Sequence, residues 1–383
     1  MSEEKSQSKK EKRPPIPNYV INALWAMSAG ICEFEGCNHF LYEDMVTKQR
    51  LNQSNISHII AWQPSGPRGD EKSSPRYATD ITNLMLTCPE HNHLIDNKEL
   101  EAEYPIERLR KMKKEHEDRV KRFASMMPDH ISHVICYSRP IGDYFVQPSN
   151  NEMFTAMSSH FPASAQVFDL GSTNTALTDD NNLYWLVEQE ELLRKFEPIK
   201  REIASGRIKH LSIFAIAPQP LLIMLGTLLL DLVPTEVYQK HREPATWSWQ
   251  ETMNPIEYKI ESPKKSGVKV ALNLSLSGNI DDTRIYSVLG DNTSVWKVSI
   301  NQSNNDFMQD RDHLVRFRQT MRLLYDRIKL EHGQESQIHV FPACPASAAI
   351  EIGRVRMPKV DCPLAIYDQN KKTEGFTHTF DIE

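Results

Sequence analysis

Between Ser57 and Asp96 the chain gathers residue types that metal-assisted hydrolysis uses. The stretch opens with S-H-I-I-A-W at 57–62 and closes with N-L-M-L-T-C-P-E-H-N-H-L-I-D at 83–96. Two pairs of soft ligands belong to it, Cys32-x4-Cys37 just upstream and Cys88-x2-His91 near its end. Zinc favours tetrahedral thiolate and imidazole ligands, and two short-range pairs on separate turns can close around one ion. Pro89, inside the second pair, supports a tight turn. Four protein ligands leave no open position, so zinc at Cys32, Cys37, Cys88 and His91 is expected to be structural, bracing a domain whose apolar core is small. The competing reading is three unlinked buried cysteines and a surface histidine; the paired spacing weighs against it.

Hydrolysis would then need a second, harder cation such as magnesium, held by oxygen or a single imidazole. A neutral imidazole near pH 7 can take a proton from water as it attacks phosphorus. The cation would stabilise charge on the phosphorane and on the departing 3′ oxygen.

The order of these features resembles the HNH endonuclease family, a ββα-metal fold, over about residues 28–100. The resemblance implies that His58 is the general base and that Asn83 holds the loop between two strands. It implies that His58 and Asn92 bind the catalytic cation, with His93 as the substitute for Asn92 and with His58 replacing a second cation. The family often places Asp or His just before the base, where this chain has Ser57. Either the serine hydroxyl or a water substitutes, or Asp96 or another carboxylate contributes.

The elements that must position these residues are short. Asn18–Ala29 can form a helix, 56–61 and 84–87 are β-prone apolar runs, and Gln63–Ser74 is a loop rich in Pro, Gly and Ser. Pro105 suits the first turn of a longer helix. Ile106, Leu109, Met112, His116, Val120 and Phe123 recur on it at helical spacing and are expected to face the core. Its Arg108, Lys111, Lys114, Arg119 and Arg122 read either as a solvated face or as phosphate contacts.

A chain of 383 residues exceeds one ordinary domain. The expected division is a disordered tail over 1–17, a nuclease domain over 18–125 and a second domain over 126–383. Lys, Arg, Asp and Glu balance over residues 1–125, so the formal charge of −6 falls on the remainder. A nuclease without a global positive field must grip phosphates through local patches. Six cysteines, three of them in or beside the motif, form no disulfide framework, which fits a reducing bacterial cytoplasm. The polar, lysine-rich N-terminus lacks the apolar core of a signal peptide. Leu221–Leu230 is too short to span a bilayer, so no membrane association is expected.

After Pro128 the texture changes. Strands are expected at 133–137, 166–170, 210–217, 268–277 and 337–341, with helices at 182–204, 219–233, 311–331 and 346–353. Their alternation argues for an α/β domain with a largely parallel sheet. Two strand–Pro–helix units, near 214–223 and 339–348, suggest related halves. In such sheets ligands bind where strands end and helix N-termini point. Gln219, Lys240, Trp247, Ser277, Arg318, Pro345 and Ser347 are the candidate ligand contacts by chemistry and loop position. Trp247 and Trp249 read either as nucleobase stackers or as core residues of a strand.

F-A-I-A-P-Q-P-L-L-I-M-L-G (214–226), V-Y-Q-K-H-R (237–242), W-S-W (247–249) and H-V-F-P-A-C-P-A-S-A-A-I-E-I-G-R (339–354) resemble a SAVED domain, a fusion of two CARF-like, Rossmann-type halves. With the first domain, the chain resembles the HNH–SAVED effector endonucleases of CBASS antiphage systems. The resemblance implies that a cyclic dinucleotide or oligonucleotide, made by a partner nucleotidyltransferase after infection, is bound by the second domain. It implies ligand-driven homo-oligomerisation, from dimer to a higher state, and degradation of double-stranded DNA. Two alternatives stay open: a restriction-type HNH nuclease whose C-terminal domain reads modified DNA, and a nuclease-dead nucleotide sensor.

Overall fold

The computed structural model describes residues 12–44, 47–125, 127–142, 144–157, 159–171, 177–252, 254–370 and 375–383. The chain divides into two compact units, residues 1–126 and 127–383. Among the described residues no helix is long and apolar enough to cross a membrane.

The two apolar runs of the first unit pair as an antiparallel ribbon, β1 (Asn55–His58) on β2 (Leu84–Thr87), with Ser57 opposite Met85 and His58 opposite Leu84. Helices α1 (Asn18–Ser28), α2 (Ser73–Tyr77), α3 (Pro89–Asp96) and α4 (Ile106–Ala124) complete the unit. Pro89 sits in the first turn of α3, where its missing N–H costs nothing. One small core joins Val20 and Leu24 of α1 to Leu84 and Leu86 of β2 and to Cys32 and Cys88. A second joins Ile59, Met85, Ile95, Leu109 and Met112.

Two expectations for this unit change. The buried face of α4 is Leu109, Met112, Lys113 and His116, whereas Phe123 is exposed. Lys113 is drawn in because buried Glu33 and its own neighbour Glu117 supply carboxylates, at 3.8 and 2.5 Å. The other expected tail residues 1–11 lie outside the described residues, but 12–17 are not a free tail. Arg13 donates to the carbonyl of Ile56 in β1 at 2.9 Å, and Pro17 accepts from Val20 and Ile21 at the start of α1.

The second unit is α/β, with two sheets rather than one. In chain order its elements are β3 (Ile131–Ser138), α5 (Asn150–Ala156), β4 (Phe161–Pro162), β5 (Phe168–Asp169), α6 (Asn182–Ala204), β6 (Leu211–Ile216) and α7 (Gln219–Leu229). Then come β7 (Thr235–Tyr238), β8 (Lys259–Glu261), β9 (Lys269–Ser275), α8 (Asp282–Leu289), β10 (Thr293–Ser299) and α9 (Arg311–His332). The last are β11 (Ile338–Ala343), α10 (Ala346–Val355), β12 (Leu364–Asn370) and β13 (Gly375–Ile382). The first sheet runs β4-β3-β6-β7, with β5 also on β3, and every pairing in it is parallel. The second runs β13-β12-β11-β9-β10-β8, parallel in its middle and closed at each edge by an antiparallel strand.

Two apolar helices, α7 and α10, cross in the core of this unit. A β-carbon at Gly226 of α7 would lie 1.9 Å from the carbonyl oxygen of Ile350, and one at Gly353 of α10 would lie 2.0 Å from that of Ile223. Only glycine allows backbones so close. The helices that follow the two strand–Pro units therefore meet through a reciprocal pair of glycines.

Candidate functional site

The first unit brings Cys32, Cys37, Cys88 and His91 together, their ligand atoms all within 4.8 Å of one another. Zinc about 2.3 Å from each sulfur would set tetrahedral ligands about 3.8 Å apart, so the donor set fits one ion. His91 Nδ1 faces the thiols, 3.0 Å from Cys88 Sγ and 3.7 Å from Cys32 Sγ. Phe34 stacks on the His91 ring, with centroids 4.0 Å apart, and fixes its plane. The first pair is stitched to β2 by Glu33, whose backbone N–H donates to Leu86 while its carboxylate accepts from the Leu86 N–H. Burial pushes the Cys32 and Cys37 thiols up, and the nearby thiol of Cys88 pushes them further. Thiolates in such a pocket require a cation.

The hydrolytic candidates lie on the same ribbon. His58 ends β1, with Nε2 2.9 Å from the Ala78 carbonyl. That carbonyl can only accept, so Nε2 carries the proton and Nδ1 keeps its lone pair. Burial lowers His58 below the ordinary imidazole range, and the Arg13 charge adds to the fall, against the Ala78 bond. The sequence offered His58 two roles, base and cation ligand; the geometry leaves one atom, Nδ1, for either.

Asn83 is buried between β1 and β2 and holds the intervening loop at both ends. Its Oδ1 accepts from Ile60 N at 2.8 Å, and its Nδ2 donates to the carbonyls of Ile60 and Tyr77 at 2.9 and 3.1 Å. Asn92 and Asp96 share a face of α3, four residues apart. Ser57 Oγ donates to Asn92 Oδ1 at 2.8 Å and lies 2.6 Å from Thr87 Oγ1. The Asn92 amide in turn hydrogen-bonds Asp96. His93 is exposed. Of the adjacent pair, Asn92 therefore joins the Ser57 network. Asn92 Oδ1 and the Asp96 carboxylate are hard oxygen donors of the kind a magnesium-like cation takes.

Sequence reasoning missed two arginines here. Arg13 Nη2 reaches 3.3 Å from His58 Nδ1. Buried Arg68 donates to the carbonyls of Ile59 and Ile95 at 2.6 and 2.7 Å. Nothing in the spacing of either residue marks it. Three basic residues of α4, by contrast, are paired on the surface: Arg108 with Glu35, Lys111 with Glu115 at 3.7 Å and Lys114 with Asp118 at 3.0 Å.

In the second unit the candidate ligand residues follow the C-terminal ends of parallel strands. Gln219 begins α7 and its Oε1 accepts from Cys344 N at 3.3 Å. Ser347, two residues past Pro345 at the cap of α10, donates through N and Oγ to Gln239 Oε1 at 3.1 and 2.8 Å. These bonds tie the strand-end loops of one sheet to those of the other. Gln239 was not a candidate; its place at the end of β7 was the available signal. Ser277 N donates to Ala343 at 2.7 Å, beside the same ends.

Three candidates are differently placed. Trp247 is buried edge-to-face on Phe214, at 5.4 Å, and neither tryptophan of W-S-W lies in a strand. Lys240 pairs with Glu152 at 2.9 Å and lies 5.6 Å above the Trp247 ring. Arg318 is held 3.0 Å from the buried Glu351 carboxylate, near Asp231 beyond the C-terminus of α7. An eleven-residue helix, about 16 Å long, separates that end from Gln219. Between His241 and Thr252, the buried His241 Nε2, Trp247 Nε1, Trp249 Nε1, Gln250 Nε2 and Thr252 Oγ1 have no hydrogen-bond partner among the described residues. Buried polar atoms ordinarily find one.

Residues 192–382 match the family model described as SMODS-associated and fused to various effectors sensor domain, SAVED. No curated protein matches the chain. Among solved structures it is similar to the Acinetobacter baumannii Cap4 SAVED/CARF-domain containing receptor with the cyclic trinucleotide 2'3'3'-cAAA. The identity is 14% and the TM-score 0.41, over 82% of this chain and 66% of that one. It is similar also to the Moraxella osloensis Cap4 SAVED/CARF-domain containing receptor, at 14% identity and TM-score 0.37, over 76% of this chain and 60% of that one. The chain thus spans less than two thirds of either receptor.

Proposed function

We propose, on the premise that residues 192–382 are a SAVED sensor domain, that the chain is a DNA endonuclease switched on by a cyclic oligonucleotide. The observation that carries the hydrolytic half is the orientation of His58. Its Nε2 is committed to the Ala78 carbonyl, so Nδ1 is the atom that can take a proton from water once Arg13 moves off it. Burial keeps the imidazole neutral near pH 7, the state a base requires. Asn83 fixes the loop that follows His58, and Ser57 fixes Asn92. Asn92 and Asp96 would hold a magnesium-like cation, which supplies charge stabilisation to the phosphorane and to the departing 3′ oxygen. Zinc at Cys32, Cys37, Cys88 and His91 would brace the unit and take no part in the reaction.

The sensing half is supported by the family match and by the strand-end loops. The bonds Gln239–Ser347 and Gln219–Cys344 link two sheets at the place where α/β ligands bind. The unpartnered polar atoms of 241–252 lie on the segment that follows Gln239 and offer donors to a nucleotide. A ligand that prefers one arrangement of these loops, or one assembled state of the chain, shifts the population by its differential affinity. Ligand-driven oligomerisation and a role in CBASS antiphage defence belong to this reading.

The test is plasmid cleavage with magnesium, with and without a panel of cyclic dinucleotides and cyclic trinucleotides. Cleavage that appears only with one member supports the reading. Cleavage without any of them removes the switch, and no cleavage with all of them leaves a sensor without nuclease activity.

A further inference from the structure

We propose that Arg13 is a positioning residue that seats the scissile phosphodiester of DNA beside His58. The proposal rests on the nuclease reading above. Arg13 precedes α1 and reaches across to β1, where one nitrogen, Nη2, lies 2.9 Å from Ile56 O and 3.3 Å from His58 Nδ1. Both partners are neutral. Among the described residues no carboxylate lies within ion-pair distance of Arg13; Asp96 acts on it only through the longer-range field. A guanidinium beside a candidate base, without an anion of its own, is a ready partner for a phosphate, which it can meet with paired N–H donors.

The position suits that task. A water held by His58 Nδ1 at about 3 Å, and about 3 Å from the phosphorus it attacks, places the non-bridging oxygens within reach of the same guanidinium. A phosphate also outcompetes the present contact, which is a cation on a neutral ring nitrogen at 3.3 Å. When Arg13 turns to the phosphate, Nδ1 is released to the water. Buried Arg68 is anchored on the carbonyl of Ile59, the residue after His58, and among the described residues its Nη1 has no hydrogen-bond partner. Local charge of this kind is what a unit with balanced charge over 1–125 needs in order to hold DNA.

The experiment compares the full chain with R13A and R13K, using supercoiled plasmid, magnesium and whichever cyclic oligonucleotide of the panel activates the wild type. R13A is expected to lower kcat/KM about 10- to 100-fold, and R13K to recover part of the loss. DNA binding is then measured against salt in the cleavage-dead H58A protein and in H58A/R13A. The double variant should show a salt slope shallower by about one. Zinc content and circular dichroism equal to wild type establish that R13A is folded; if it is not, R13Q, which keeps a polar side chain without the charge, and the salt slope of H58A/R13Q decide. Unchanged kcat/KM and salt slope overturn the proposal. So does a gain of activity in R13A without activator, which would make Arg13 a cap on the base. A wild type that cuts nothing with any ligand sinks the nuclease reading itself, and the Arg13 assignment with it.

Discussion

Ser57 donates its hydroxyl hydrogen to Asn92 Oδ1 across 2.8 Å. The serine thereby fixes the aim of the side chain of Asn92, the proposed cation ligand. Because the hydroxyl has one hydrogen, Thr87 must donate to Ser57, which gives a chain Thr87–Ser57–Asn92–Asp96. The first three of these residues sit on β2, β1 and α3, so the network also locks the ribbon to the helix.

Removing that aim should weaken the cation rather than the fold. Ser57→Ala is expected to raise the magnesium concentration for half-maximal cleavage about 10- to 100-fold, the usual cost of losing a group that orients a ligand. A magnesium titration of activated protein checks it. An unchanged titration would show that Asn92 is placed without Ser57.

The cysteine cluster should be a folding site. Cys88 is 1% exposed, in a core that otherwise contains few apolar residues. Cys88→Ser is expected to lose bound zinc and to unfold the first unit, since structural zinc contributes on the order of 10 kcal/mol. Elemental analysis and hydrogen exchange over residues 12–125 report it. A zinc-free variant that keeps native protection would contradict the account.

The helix crossing of the second unit makes a sharp contrast among glycines. Gly226→Ala sets a β-carbon 1.9 Å from Ile350 O and forces α7 and α10 apart. The expected loss is about 3 kcal/mol, beyond the roughly 1 kcal/mol that alanine gains in a helix. Gly278→Ala, with no atom within 4 Å, should cost little. Denaturant unfolding of both variants compares them; equal stability would mean that the helices can part freely.

Acid should loosen the same unit through His210. Its ring stacks on His160 at 3.8 Å, and its Nδ1 lies 2.8 Å from Ser132 Oγ. Burial foremost, then His160, Arg311 and Arg354, hold it down to about 4. Unfolded, it titrates near about 6.5. Between those values the unfolded chain binds the proton and the folded chain does not. Stability is therefore complete above about 6.5 and is lost as pH falls toward 4. The ring is only partly buried, so the loss is about 1–2 kcal/mol rather than the full value of the shift. His210→Asn should flatten the pH dependence of the melting temperature of this unit; a slope identical to wild type would exclude His210 as its source.

Much of this arrangement was legible because its signals are local. Asn182–Ala204 is the helix its periodicity predicts, and the strand–Pro–helix repeats mark α7 and α10. Short-range ligand pairs were enough to group Cys32, Cys37, Cys88 and His91. What escaped depends on distant partners. Lys113 is buried because Glu33, eighty residues earlier, supplies a carboxylate. Strands β10, β12 and β13 carry Lys297, Gln369 and His378 among their apolar residues, and their alternation is too broken to stand out. Arg13 belongs to no motif, and Gln239, although inside V-Y-Q-K-H-R, carries no signal of its partner; only the fold puts one against His58 and the other against Ser347.

The central claim is that His58 is the base of a cleavage reaction gated by the second unit. The most direct measurement is plasmid cleavage by wild type and His58→Ala, each with magnesium and with the cyclic oligonucleotide that activates the wild type. The account predicts ligand-dependent cleavage by wild type and a loss of at least about 10²- to 10⁴-fold in His58→Ala, with ligand affinity unchanged. A His58→Ala protein that still cuts at a comparable rate would contradict it.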